Sequence, residues 1–124
     1  MKLSGKVTSG LGKASFFLSQ DFYKDNFLKR CGFMPYPGTL NIVIEDDYLD
    51  RINRIKEDCT DIIKPDNDFG AVKYIHAILN DEINGAIVFP AKSQHSDNYL
   101  EFIAEMKLRD YLNLNDGDTV LVEF

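Results

Sequence analysis

The chain has 124 residues, 44% of them hydrophobic and 27% charged, with a net charge of −6. That length fits one domain able to bury about two-thirds of its unfolded surface, and the composition is that of a soluble globular protein. The acidic balance argues against broad nucleic-acid or membrane-surface binding, which needs a basic face.

No apolar run nears the roughly 20 residues of a membrane span, and the N-terminus MKLSGKVTSG lacks a signal-peptide core. Cys31 and Cys59 stand far apart, which disfavours a disulfide framework and predicts a cytoplasmic protein. Zinc is disfavoured too, because two cysteines and two histidines occur at none of the close spacings a structural site needs.

Residues 2–9 predict a short strand with Leu3 and Val7 on one side, running into Ser9-Gly10-Leu11-Gly12-Lys13-Ala14-Ser15. That loop fits neither standard phosphate signature. A Walker A loop would place its first glycine at Val7 and its hydroxyl at Ala14. A dinucleotide fingerprint would need glycine at Ser15 and a helix in place of Phe16-Phe17-Leu18. It reads either as a plain turn or as an anion cradle. In a cradle, glycine backbone amides approach a phosphate, Lys13 adds charge and Ser15 donates.

QDFYKDNFLKRCGF predicts a helix, with Asp21 as cap or first-turn acid, Tyr23, Phe27 and Cys31 on one face, and Gly32 at the stop. MPYPGTLNIVIE predicts a strand in which Leu40, Ile42 and Ile44 alternate with Asn41, Val43 and Glu45. Thr39 and Asn41 then share a face, as neutral oxygen donors suited to Mg²⁺ whose charge is balanced by nucleotide phosphates; an ordinary strand start is the alternative. DDYLDRINRIKED reads as a short amphipathic helix or a surface excursion, and its acidic start as a solvated helix end.

FGAVKYIHAIL and GAIVFP predict two strands joined by a hairpin closed near Asn84-Gly85. SQHSDN predicts a polar loop, and His76 reads as a wall residue. YLEFIA is a strand interrupted by Glu101, and MKLRDYL is a turn or two of helix whose Lys107 and Arg109 could be no more than a salt-bridged turn. NLNDGDTVLVEF closes the chain with an Asp-Gly turn and a strand; the sequence ends too soon for Asp116-Gly117-Asp118 to be a calcium loop. Five to seven short strands and one main helix predict a mainly β protein. A small closed barrel is expected, because closure removes exposed edges.

Taken together and in order, the segments GKVTSGLGKASFFL, YKDNFLKRCGFMPYPGTLNIVI, NGAIVFPAKSQHS and LEFIAEMKLRDYLNLNDGDTVLVEF closely resemble the archaeal CTP-dependent riboflavin kinases. The resemblance runs from about residue 5 to the end and is weakest over 46–68. It implies a six-stranded cradle-loop barrel that transfers the γ-phosphoryl group of CTP to the ribityl hydroxyl of riboflavin, giving FMN and CDP. It also implies one kinase domain over 1–124 with no N-terminal winged-helix domain, acting as a monomer with Mg²⁺ and without nucleic-acid or membrane partners.

Carried over by position, Gly10, Leu11, Gly12, Lys13, Ala14 and Ser15 form one nucleotide segment. Met106, Lys107, Leu108 and Arg109 form a second, where cytosine is read. Thr39 and Asn41 match the magnesium ligands. Ser93 stands where a flavin-contacting threonine is usual. Glu101 matches an acidic flavin contact and is the candidate to hold the ribityl chain or accept its proton. Glu105 replaces a proline usual before MKLR, which frees a backbone angle and adds negative charge beside the nucleotide. These departures leave a non-catalytic flavin or nucleotide sensor as the alternative function, with a DNA-binding regulatory domain behind it.

Overall fold

The structure is a computed structural model that describes residues 1–10, 18–64, 71–90 and 98–124. Seven strands and three helices occur among them: β1 (Lys2–Thr8), α1 (Asp21–Cys31), β2 (Leu40–Ile44), α2 (Leu49–Asp58, led in by a 3-10 turn at Asp46–Tyr48), β3 (Ile62–Ile63), β4 (Val72–Leu79), β5 (Ile83–Pro90), β6 (Tyr99–Ile103), α3 (Leu108–Tyr111) and β7 (Thr119–Glu123). Six strands close on themselves in the order β4-β5-β6-β2-β1-β7 and back to β4, every pairing antiparallel. β3 is a two-residue addition to the start of β4. The expected small closed β barrel is therefore the fold.

Alternation builds the interior. Leu3 and Val7 of β1, Leu40, Ile42 and Ile44 of β2, and Val120 and Val122 of β7 all point inward and are buried. Leu100 and Phe102 of β6 and Ile87 and Phe89 of β5 complete the same cluster. A second cluster lies outside the wall. There Tyr23 and Phe27 of α1, fully buried, pack on Val72 and Tyr74 of β4, Ala86 and Val88 of β5, and Ile103 of β6. The rings of Phe27 and Tyr74 meet edge to face at 5.6 Å. This covering explains why β5 and β6 read as nearly continuous apolar runs: both their faces are dry. The helix ends at Gly32, whose φ of 80° supplies the left-handed stop.

The hairpin expected at Asn84-Gly85 turns instead at Asn80-Asp81, whose φ values are 52° and 57°. Both residue types tolerate the left-handed region. Asn80 also closes the barrel seam: its N–H donates to the Leu121 carbonyl at 2.7 Å, and its Oδ1 accepts the Leu121 N–H at 2.8 Å. Gly85 lies within β5 because a Cβ there would strike the Ile103 carbonyl oxygen and the Phe102 ring. Lys2 ties the same seam from outside, to Asp81 at 2.8 Å and Glu123 at 3.3 Å.

Candidate active site

The register of the wall brings two of the predicted site residues, Asn41 and Glu101, together. Thr8 pairs with Asn41, Asn41 with Glu101, Glu101 with Val88, and Val88 with Tyr74, so one outward row crosses from β1 to β4. Directly opposed side chains in such a row stand about 5 Å apart. The row is polar at its β1–β2–β6 end and apolar where α1 covers it. Glu101 sits at the change. It is 7% exposed and is the one buried charged side chain among the described residues. The Thr39 hydroxyl, one residue before β2, donates to Glu101 Oε1 at 3.4 Å.

Gly10 presses against the same spot from the loop side. A Cβ built at Gly10 would fall on the side-chain amide of Asn41, so a larger residue there would push that amide from its place. Thr39, Asn41, Glu101 and Gly10 are thus one constellation. Leu11, Gly12, Lys13, Ala14 and Ser15 lie outside the described residues, as does Ser93.

Met106, Lys107, Leu108 and Arg109 border the constellation. A cavity of about 150 Å³ is lined by Met106, Lys107, Arg109, Tyr36 and Gly38, and reaches Thr39. Leu108 is buried in the core cluster and also borders the cavity. The PYPG stretch is fastened there, the Tyr36 N–H donating to the Ala104 carbonyl at 2.8 Å, and its glycine lies under the Tyr36 ring. Lys107 pairs loosely with Asp110 at 3.8 Å, an exposed contact worth little. Glu105 points to solvent.

Arg109 is held differently. Its Nη2 donates to Asp116 Oδ1 at 2.6 Å and to the Thr8 carbonyl at 3.0 Å, and Ser9 Oγ donates to Asp116 Oδ2 at 2.8 Å. The Arg109 guanidinium, with the Ser9 hydroxyl second, holds the Asp116 carboxyl below its ordinary range. Sequence reading assigned Asp116 only to a turn, and its meeting with Ser9 across 107 positions has no local signal.

Elsewhere, His76 is exposed on β4, and a larger hollow of about 420 Å³ beside it, lined by Lys2, Cys31, Asn84 and Glu123, contains none of the predicted site residues. Among the described residues no three His, Cys, Asp or Glu side chains gather as a metal cluster, and no helix is long and apolar enough to cross a membrane.

Fold and site define a small closed antiparallel barrel whose outer wall carries a row of oxygen-bearing side chains beside a glycine loop. This is an architecture apart from the parallel α/β folds of P-loop and dinucleotide proteins. A family model named for CTP-dependent riboflavin kinases, and described as a domain of unknown function (DUF120), matches residues 7–124. A riboflavin kinase of Methanobrevibacter smithii is 68% identical over 124 residues, covering both chains completely. One from Methanothermobacter thermautotrophicus is 42% identical over 117 residues, 94% of this chain and 93% of the relative. A third, from Pyrobaculum arsenaticum, is 38% identical over 128 aligned positions, 99% of this chain but 60% of that longer protein. The chain belongs to the CTP-dependent riboflavin kinase family, and so to a family of kinases.

Proposed function

We propose that this protein phosphorylates riboflavin, with CTP as donor and Mg²⁺ as the metal, producing FMN and CDP. The observation that carries the reading is the pairing of Asn41 with Glu101 on one outward row, joined by the Thr39 hydroxyl, with Gly10 wedged against the Asn41 amide. A hydroxyl and an amide oxygen suit a hard cation that brings few protein charges of its own, because the triphosphate supplies the rest. Thr39 and Asn41 would hold Mg²⁺, which when bound neutralises charge on the phosphate oxygens.

The chain's own residues supply position. The glycine loop offers amides to the phosphates, and the cavity between Met106, Arg109 and Tyr36 takes the cytosine. Ser93 and Glu101 contact the flavin substrate. Glu101 accepts a hydrogen bond from the terminal ribityl hydroxyl, whose oxygen bonds to the γ-phosphorus as the bond from that phosphorus to the β-phosphate oxygen breaks. The hydroxyl proton leaves toward the carboxylate. Little covalent work falls to the protein in such a transfer.

The direct test incubates the purified protein with riboflavin and Mg²⁺, with CTP or ATP in parallel, and follows FMN by chromatography. FMN formed with CTP and at least tenfold less with ATP is expected. Equal use of ATP would remove the CTP assignment, and flavin binding without turnover would make the chain a sensor. Glu101→Gln separates two roles. A rise confined to the riboflavin KM means binding alone, whereas a fall in kcat means the carboxylate also takes the proton.

A further inference from the structure

The turn between α3 and β7 is built as a rigid platform. The Asn115 N–H donates to Asp118 Oδ2 at 2.8 Å, and the Asp118 N–H returns to the Asn115 carbonyl at 3.0 Å. β1 clamps the same turn: the Gly117 N–H donates to the Val7 carbonyl and the Val7 N–H to the Asp118 carbonyl, both at 2.8 Å. From that platform Asp116 presents one carboxylate oxygen to Ser9 and the other to Arg109. Ser9 is the last residue before the glycine loop, and Arg109 belongs to the second nucleotide segment.

We infer that Asp116 is a positioning residue that locks the two nucleotide-binding segments to each other before the nucleotide arrives. The inference rests on the nucleotide assignment proposed above. A guanidinium has five N–H donors in a fixed fork. Nη2 serves Asp116 and Thr8; among the described residues Nε and Nη1 have no hydrogen-bond acceptor, which leaves them for an anionic or carbonyl oxygen in the cavity that Arg109 lines. Fixing the fork in advance lowers the ordering cost of binding.

The contact contributes little to folding. The side chains of Arg109 and Asp116 are 32% and 57% exposed, and exposed pairs contribute little to stability. Losing a preorganised binding group, in contrast, adds the cost of ordering that side chain directly to binding. A lock for binding and a mere surface ion pair therefore predict different things.

Asp116→Asn, Asp116→Glu and Ser9→Ala are compared with the unaltered protein in three measurements. These are CDP affinity by calorimetry with Mg²⁺, the riboflavin KM, and hydrogen exchange of the nucleotide-free chain. Asp116→Asn should weaken CDP by roughly 10- to 100-fold, leave the riboflavin KM within about twofold, and raise exchange together at residues 8–10 and 109–112. Ser9→Ala should do the same more weakly, and Asp116→Glu should recover part of the loss. Unchanged or tighter CDP binding in Asp116→Asn overturns the inference, since the carboxylate would then be idle or a competitor for Arg109. So does a loss shared equally by CDP and riboflavin. If the unaltered protein takes up no CDP, the nucleotide assignment itself fails, and the paired exchange response alone decides whether Asp116 couples the segments.

Discussion

The two halves of the barrel wall are built for different ends. Over β4, β5 and β6 the outer face is roofed by α1, and Tyr23, Phe27, Tyr74, Val88 and Ile103 form a second core behind the first. Over β1, β2 and β7 the outer face is open, and it carries Lys6, Thr8, Asn41 and Thr119. A strand dry on both sides contributes stability but has no room for a ligand. A strand dry on one side has a free face that can carry chemistry at little cost to the core. Glu101 stands on the boundary, buried like its covered neighbours but paired in register with Asn41 of the open half. The protein thus places its one described buried charge where a rigid wall meets an accessible face.

The largest effect that would test this division is at Phe27. Phe27→Ala empties a fully buried site and should cost roughly 3–5 kcal/mol of stability, read as a fall in denaturant midpoint. Turnover well below the new melting temperature should survive. Thr39→Val should do the reverse, with turnover falling by roughly 100-fold, about 2.7 kcal/mol of transition-state stabilisation, and the melting temperature nearly unmoved. If Thr39→Val leaves Mg²⁺-dependent turnover intact, the metal assignment is wrong.

A sharper comparison uses two glycines, each of which stands where another group occupies the Cβ position. Gly85→Ala in the covered half drives a methyl into the Ile103 carbonyl and Phe102 ring and should destabilise by roughly 1–3 kcal/mol. Its KM values should stay as they were. Gly10→Ala in the open half meets the Asn41 amide; stability should barely change while turnover falls by about tenfold. Parallel melting curves and kinetics on the two variants would show whether the halves separate as described.

What the sequence made legible follows the same division. Alternation marked β1, β2 and β7 because water lies on one side of them, and Leu3, Val7, Leu40 and Val122 are buried as their spacing required. The helix Asp21–Cys31 was legible from Tyr23, Phe27 and Gly32, and the barrel from the need to close short strands. The stretch 46–58, open between helix and excursion, is a 3-10 turn leading into α2. The two-residue β3 went unread because it is too short to carry a period. Strand order was illegible too, since β6 joins β2 and β1 joins β7 across most of the chain.

Asn84-Gly85 misled because its local turn signal competes with a tertiary demand that only the β5–β6 contact reveals. Within the site, Thr39, Asn41, Glu101 and the MKLR turn were named through resemblance; register sets Asn41 beside Glu101, and a hydrogen bond joins Thr39 to the pair. Leu11 to Ser15 and Ser93 remain expectations outside the described residues. Asp116 was out of reach, because nothing near it in sequence marks its contact with Ser9.

The mildest test addresses the roof itself and leaves every site residue alone. Cys31 ends α1, and burial, reinforced by Asp61, pushes its thiol up to about 11. Only the thiolate is nucleophilic. A rise from the 9.0 of an ordinary thiol lowers the thiolate fraction near pH 8 by roughly 100-fold, tenfold for each unit. Cys31 should therefore alkylate about that much more slowly than a peptide thiol, and accelerate until the pH passes its own ionisation. The stability sign agrees. The folded state keeps the proton that the unfolded chain releases, so this contribution is complete below about pH 9 and is lost as pH climbs through 11. Phe27→Ala, by loosening α1, should move the alkylation rate back toward that of a free thiol. A fast Cys31 in the unaltered protein would mean that the helix does not cover β4 and β5, and the two halves of the wall would then be alike.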